Sequence, residues 1–539
     1  MMVSQATGLL AGVKVVELAS RISGPYCGKI LAHMGAEVIK IEPPEGDEVR
    51  RLGPFPNHTP HLEKSGLFLW LNANKYGVAL NAMQTRDRRY LTDLIRSADI
   101  LIESDAKGAL QTWQPDGCAD STSLRQRHPG LILTSVTPFG SWGPYAGYKA
   151  TDLVLFHMSG NAHGLLGPVE APECDPPIRA GGHQAELVAG LAAATATLAA
   201  LYRQRTTGLG CHVELSAFEA MANQLISGLA NCAYGQPAPP RALKEVKEAA
   251  IGGMVTAIGG VLPCHDGYVA ISPREDAQWA RWLDVMGQPE WADDVRFRTR
   301  EARQQNSSEL WDLLSQWSRQ HSKHDIARWG QDRRIPCFPV NTVEELLRDE
   351  HLSARCFFVD IDHPVVGPLK YPGVPYSFSN TPLPLDARPA PLLGQHNGRW
   401  FGGAGPGAQE TRAVGVRTPV RGRPLTGVRV VDLSWIIAGP TATRFLAMMG
   451  AEVIKVGSAR RPAPSTRGAP FQAYNQSKRY AALNISKPEG LALIKRLLRS
   501  CFKIIRIGFS MRYVPYKVPI CGGNQNSQTR ITPGFGDVA

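Results

Sequence analysis

The sequence predicts an α/β protein: a large Rossmann-like domain on a parallel sheet, a smaller α+β domain, and a partial second copy of the large domain. Three observations carry this expectation. A β-branched run, a Gly-Pro break, an apolar helical stretch and a second β-branched run follow one another near the N-terminus. Strand signals recur at 99–102 and 131–136, with a helical stretch at 85–96 before them. The opening of the chain then returns, nearly intact, close to its end.

Taken in order, Val13 to Leu18 is a short β-branched run of the kind that buries as a strand. Gly24-Pro25 interrupts it, and proline suits the first turn of a helix. Cys27 to Met34 carries apolar residues at helical spacing, with Gly35 placed to end that helix. Glu37 to Glu42 (EVIKIE) is the next strand, which makes a β-α-β unit with a right-handed crossover. The helical stretch Thr85 to Arg96 and the strands DILI (from Asp99) and LILTSV (from Leu131) extend the alternation into a doubly wound sheet. Glu186 to Arg203 is an Ala/Leu helix, apolar nearly all round and so expected in the core. Gly267 to Ile271 reads as a strand, and Trp279 to Trp329 as a small helical domain rich in Trp, Arg and Gln. Residues 336 to 391 form a Pro-rich segment with short strands, and 402 to 424 a flexible linker.

The repeat is the strongest signal. GVKVVELASRISGPYCGKILAHMGAEVIKIE from Gly12 registers without a gap on GVRVVDLSWIIAGPTATRFLAMMGAEVIKVG from Gly427, an offset of 415 (427 − 12). The match continues from Asn72–Asn81 to Asn475–Asn484 and reaches Arg499-Ser500, which parallels Arg96-Ser97; at Cys501 it stops. A repeat with so long a period is a duplicated domain, not a solenoid. The expected organisation is therefore a large domain over 1–222, a small domain over 223–335, a return segment over 336–400 that completes the large domain, a linker over 401–424, a partial second module over 425–500, and a tail over 501–539. That tail shows no sustained period. It reads as disordered, and as a truncation or reading-frame artefact in preference to an authentic basic extension.

Composition narrows the function classes. No apolar run reaches the 18 or so residues that cross a bilayer, so no membrane span is expected. The N-terminus lacks the basic and apolar regions of a signal peptide. Ten cysteines are scattered without a CxxC pair, which suits reduced thiols in the cytoplasm and no metal site. The net charge of +12 is spread along the chain and its tail, where Lys503, Arg506, Arg512, Lys517 and Arg530 face only Asp537. Nucleic-acid proteins gather their basic groups on one surface, and no such run exists here. The missing GxGxxG after the first strand counts against a nicotinamide cofactor.

Several segments together resemble the family III CoA-transferases. They are GPYCGKILAHMGAEVIKIEPPEGDEVRRLGP from Gly24, the Asn74-Lys75 step, SVTPFGSWGP from Ser135, ATDLVLFHMSG from Ala150, RQRTTGLGCHVELSAFE from Arg203, WADDVRFRTREARQQN from Trp291, RIPCFPVNTVEEL from Arg334 and APLLGQH from Ala390. The resemblance covers about residues 9–400, then 425–500 again. It implies a Rossmann-like large domain built from both ends of the module. It also implies an interlocked homodimer or pseudo-dimer, and acyl-CoA and carboxylic acid substrates with coenzyme A carried as a thioester. The residues it places near the CoA phosphates are Lys40, Arg50, Arg51 and Lys75, with Arg21 beside the first turn; solvated strand and loop ends are the other reading of the lysines.

The family's nucleophile is an aspartate just before the buried helix, and Glu186 holds that place here, in Ile178-Arg179-Ala180-Gly181-Gly182-His183-Gln184-Ala185-Glu186. The resemblance implies attack of this carboxylate on a thioester and an enzyme-bound CoA intermediate. The same glutamate also reads as a helix-N-terminal residue that meets the dipole. Other positions depart from the family: Ser20-Arg21 precedes Gly24-Pro25 where a basic residue is usual, Ser104–Thr112 lacks the arginine that contacts CoA, and Thr151-Asp152 replaces the His-Asp of acyl-CoA racemases. The sequence therefore predicts a CoA-transferase, with a catalytically weak or inactive CoA-binding scaffold as the alternative and racemisation disfavoured.

Overall fold

Strand β1 (Lys14–Leu18) is paired on both sides, so Val16 lies beside Ile39 of β2 (Glu37–Glu42) and beside Leu101 of β4 (Ile100–Glu103). In the computed structural model, β3 (Tyr76–Ala79), β5 (Ile132–Thr137) and β6 (His212–Ser216) complete a parallel sheet ordered β3-β2-β1-β4-β5-β6. The structure describes residues 8–104, 109–165, 174, 176–235, 250–251, 254–255, 260–273, 276–378, 388–401, 422–435, 437–458, 469–499 and 503–505. Strand order reverses between β1 and β4, and loops at the carboxyl ends of two such strands diverge into a crevice. Ser20 and Ser104 lie at that point and bond to each other through the Ser104 hydroxyl.

Helix α1 (Ser23–His33) begins where the sequence breaks at Gly24-Pro25. It packs on the long helix Gln184–Thr207, whose Ala185, Ala189, Ala193 and Ala194 are buried with Cys27 and Leu31. Gly190 permits the approach: a Cβ there would lie 2.5 Å from the Ser23 carbonyl oxygen. The long helix runs further than its apolar stretch suggested. By length and composition alone it could cross a bilayer, but more than half of its most apolar stretch is buried in the fold, where it packs against α1 and β5.

The sheet's polar interior centres on Glu17. Its carboxylate lies 3.3 Å from Lys40 Nζ and 2.8 Å from Lys75 Nζ, with all three side chains wholly buried. Lys40 also meets Asp47 at 2.8 Å and the Ala19 carbonyl; Lys75 donates to the Pro25 carbonyl and to Asn72 Oδ1. Gly28 makes room for the acid, since a Cβ there would fall 1.9 Å from Glu17 Oε2.

The smaller domain surrounds Trp279, Trp282, Leu310, Leu314 and Ile326 with helices Asp276–Val285, Ser307–Ser318 and Lys323–Asp332. These cover an antiparallel sheet of Gly260–Cys264, Gly267–Ile271 and Cys337–Pro339. The third strand comes from the expected return segment, so the small domain reaches past residue 335. The hairpin Phe358–His363/Gly367–Pro372 packs Ile361 and Tyr371 against Phe68 and Leu71 of α2 (Gly66–Asn72). Residues 388–401 return to the large domain, where Arg388 bonds Asn74, Asn397 bonds Ala79 and Trp400 meets Tyr76.

The second copy forms its own parallel sheet, in the order Arg479–Ala482, Glu452–Gly457, Arg429–Asp432, Lys503–Ile505. The last strand corrects the expectation that pattern ends at Cys501: Lys503–Ile505 pairs with Arg429–Asp432 as β4 pairs with β1. The linker 402–421 and the tail beyond 505 lie outside the described residues. Leu425, Val428, Val430, Ala447, Ala451 and Val453 form a small core closed by Ala199 of the long helix, and Arg444 reaches Asn223. The charge cluster returns as well. Asp432 stands for Glu17, Lys455 for Lys40 and Lys478 for Lys75, at 3.5 and 3.0 Å from the acid. The shorter acid leaves space that Thr443 fills in place of Gly28, its hydroxyl donating to Asp432 Oδ2 at 2.7 Å.

Gly28→Ala should destabilise the protein by about 3–5 kcal/mol, the cost of breaking a buried pair, as read by denaturant unfolding. The double variant Glu17→Asp/Gly28→Thr installs the second copy's solution and should recover part of that loss; purely additive effects would refute the coupling.

Candidate active site

Asp152 opens the helix Asp152–Met158, and its side chain works on a different helix. Oδ1 accepts from the backbone N–H of Ala185 (2.8 Å) and of Glu186 (3.2 Å). Two otherwise unpaired donors at the start of the long helix are thus satisfied by a carboxylate, which also suits the positive end of the helix dipole. Oδ2 accepts from Arg179 at 3.2 Å, and Arg179 also donates to the Gly182 carbonyl.

Glu186 projects from that first turn and is only 6 % exposed. Its Oε1 lies 3.4 Å from Arg21 Nε and its Oε2 lies 3.5 Å from His183 Nδ1. Burial raises the Glu186 pKa above the ordinary carboxylate value, opposed by Arg21 and His183 and reinforced slightly by Asp152. Arg21 adopts a left-handed backbone (φ 64°), uncommon for a residue with a Cβ. Its N–H donates to Asp47 Oδ1 at 3.4 Å, which links the turn to the Lys40 cluster, and its head lies 3.6 Å from Glu48. The groups border a cavity of about 270 Å³, also lined by Ile22, Val49, Leu52, Thr151 and Leu153. Among the described residues, no group of three His, Cys, Asp or Glu side chains could hold a metal ion.

The structure brings together two of the residues singled out in the sequence, Arg21 and Glu186. It moves three others away from a ligand role. Lys40 and Lys75 are held inside by Glu17, and Arg50 is clamped by Glu42 (2.6 Å) and Glu63 (2.6 Å) over the Phe68 ring. Turning any of them to a phosphate would strand a buried carboxylate, a cost of several kcal/mol. Arg51 is exposed and donates to the Glu45 carbonyl, so of the four it alone stands open to an anion. Asp152 and Arg179 were missed. An acid serving a helix 33 residues away leaves no local pattern.

This architecture is an acyl-transfer scaffold of known kind. The family model described as CoA-transferase family III matches residues 10–397 and again 425–501. The chain belongs to CoA-transferase family III. It is 29% identical to a formyl-CoA:oxalate CoA-transferase of Streptomyces avermitilis over 432 residues, 75% of this chain and 98% of that protein. It is 30% identical to a succinate–glutarate CoA-transferase of Agrobacterium fabrum over 403 residues, 72% of this chain and 93% of that protein. A probable CoA-transferase of Mycobacterium tuberculosis aligns over 493 residues at 29% identity, 87% of this chain but 57% of that longer protein. Among solved structures, a CaiB/BaiF family protein from Brucella suis superposes with a TM-score of 0.63 at 29% identity, covering 73% of this chain and 98% of that one.

Asp152→Asn keeps an acceptor for the two N–H groups and removes a negative charge near Glu186. The pH at which Glu186 ionises, followed by infrared difference spectroscopy of its carboxyl stretch, should therefore fall. Asp152→Ala also loses the cap and should cost about 1–2 kcal/mol in unfolding free energy. An unmoved Glu186 titration in the Asn variant would show that the two acids do not interact.

Proposed function

We propose that this CoA-transferase moves CoA from an acyl-CoA to a free carboxylic acid with Glu186 as the carboxylate nucleophile. The observation that carries the reading is the placement of Glu186, a nearly buried carboxylate on a helix's first turn beside a cavity, between Arg21 and His183. The cavity's 270 Å³ suits a thioester carbonyl and a small acid, leaving the nucleotide end of CoA outside. The relatives' names contain oxalate and glutarate, which makes small dicarboxylates the first acceptors to assay.

In this mechanism a Glu186 oxygen attacks the thioester carbon and the C–S bond breaks, giving a mixed anhydride and the CoA thiolate. The thiolate attacks the Glu186 carbonyl of the anhydride, expels the donor's carboxylate and leaves CoA on Glu186 as a thioester. The acceptor carboxylate then attacks that thioester, and the released thiolate takes the acceptor's acyl carbon and regenerates Glu186. Only a side-chain carboxyl can be both attacking group and thioester carrier, so the chemistry needs an acid here. His183 and Arg21 favour its ionised form against burial.

Glu186→Gln should abolish transfer from succinyl-CoA to glutarate and from formyl-CoA to oxalate while preserving the fold. Glu186→Asp draws the carboxylate back by one methylene and should lose about 10²-fold in rate, as misplacement of about 1 Å does. Intact-protein mass spectrometry after incubation with succinyl-CoA should show a CoA adduct on the wild type alone. Undiminished turnover in the Gln variant would remove Glu186 from the mechanism, and no adduct with no turnover in the wild type would return the scaffold reading.

A further inference from the structure

Arg21 stands apart among the cavity's cations. Arg179 is tied to Asp152 and to the Gly182 carbonyl. Arg21 is held at its base by its neighbours, Ser20 through two bonds to the Ser104 hydroxyl and Ile22 through burial in the core, and loosely at its head: its two carboxylate contacts are 3.4 and 3.6 Å, against about 2.7–2.9 Å for a tight charge-assisted bond. Its side chain is 44 % exposed, whereas that of Glu186 is 8 % exposed. A fixed base with a free fork is the arrangement of a group that exchanges partners.

The reaction proposed above has an electrostatic difficulty that this arrangement answers. A free carboxylic acid is an anion at neutral pH, and it must come within bonding distance of a site that already holds Glu186, Glu48 and Asp152. Two carboxylates cannot share such a space without a cation. Once Glu186 carries CoA as a thioester, however, it is neutral, and Arg21 loses its more buried partner.

We infer that Arg21 binds the carboxylate of the acceptor acid, and that conversion of Glu186 to its thioester releases Arg21 for that purpose. This rests on the Glu186 reading and deepens it. Arg21 passes from Glu186 to the incoming acid, holding one carboxylate oxygen while the other attacks the thioester carbon. The C–S bond breaks and the thiolate leaves with the electron pair. When that thiolate attacks the acceptor's acyl carbon, the anhydride C–O bond breaks and Glu186 departs as a carboxylate. Arg21 regains its partner, and the carboxyl it held is now a neutral thioester. The free-acid site thus exists only while the enzyme carries CoA, which keeps the acid from occupying the resting enzyme.

The full-length protein tests this in two ways. Glu186→Gln imitates the neutral, CoA-bearing state, so succinate should bind it about 10- to 100-fold more tightly than the wild type in calorimetry, the value of a hydrogen bond to a charged group. Glu186→Gln/Arg21→Gln should lose that gain. In single-turnover mass spectrometry, Arg21→Gln should slow discharge of the CoA adduct by glutarate about tenfold more than it slows adduct formation, with Arg21→Lys between it and the wild type. Equal slowing of both half-reactions would make Arg21 a positioner of Glu186 only, and succinate binding equally to wild type and Glu186→Gln would equally overturn the inference. Absence of any adduct on the wild type is a different failure, that of the Glu186 mechanism itself.

Discussion

One buried acid between two buried lysines sets the geometry of the carboxyl end of the sheet. Glu17 belongs to β1, Lys40 to β2, and Lys75 to the step before β3, so a single carboxylate ties three neighbouring chain segments together. The ammonium groups also hold the Ala19 and Pro25 carbonyls, on either side of the turn that leads into α1. Two positive charges need more than one negative one, and Asp47 supplies the second against Lys40. Burial still drives the Lys75 pKa down to about 8, whereas the acids around Lys40 push its pKa up. From Asp47 the chain of contacts runs to the backbone of Arg21 and on to Glu186. The proposed nucleophile, Glu186, is thus connected, link by link, to the polar core beneath it.

At the site, two carboxylates, Asp152 and Glu186, meet the start of one helix, and each has its own arginine. Asp152 uses its oxygens up on backbone N–H groups and Arg179, so it is fixed. Glu186 has only long contacts with Arg21 and His183, which is why the proposed mechanism assigns the reaction to it. This division follows from local geometry and needs no difference in residue type.

Four of the six strands of the large sheet, β1, β2, β4 and β5, were legible because their signals are local, whereas β3 and β6 were not predicted. β-branched runs, the Gly-Pro break and the Ala-rich helix each form what their own neighbours dictate, and Thr85–Arg96 is a helix over those residues. The strand Lys503–Ile505 was not, because three residues carry too little period and their partner lies far back in sequence. Lys40, Arg50 and Lys75 misled for a physical reason. A charged residue at a strand end is ordinarily solvated, and burial here depends on acids supplied by other segments. A clue was present in the repeat: an acid inside each first strand, Glu17 and Asp432, accompanied both times by the same two lysine positions. The position of Glu186 at the start of the Ala-rich helix was legible, whereas Asp152 and Arg179 reach it only through the fold.

The exchange of Glu17 and Gly28 for Asp432 and Thr443 bears on the history of the two copies. Each half of the pair is sound only with its own mate, because the longer acid occupies the volume that the threonine fills in the other copy. A genetic crossover between the repeats that fell inside this eleven-residue interval would join Glu17 to a threonine, or Asp432 to a glycine. The first product would be overfilled and the second would leave its acid short of a hydroxyl donor. A recombinant of either kind would therefore carry a defect in its polar core that neither copy has, so this pair of positions must be exchanged together or not at all.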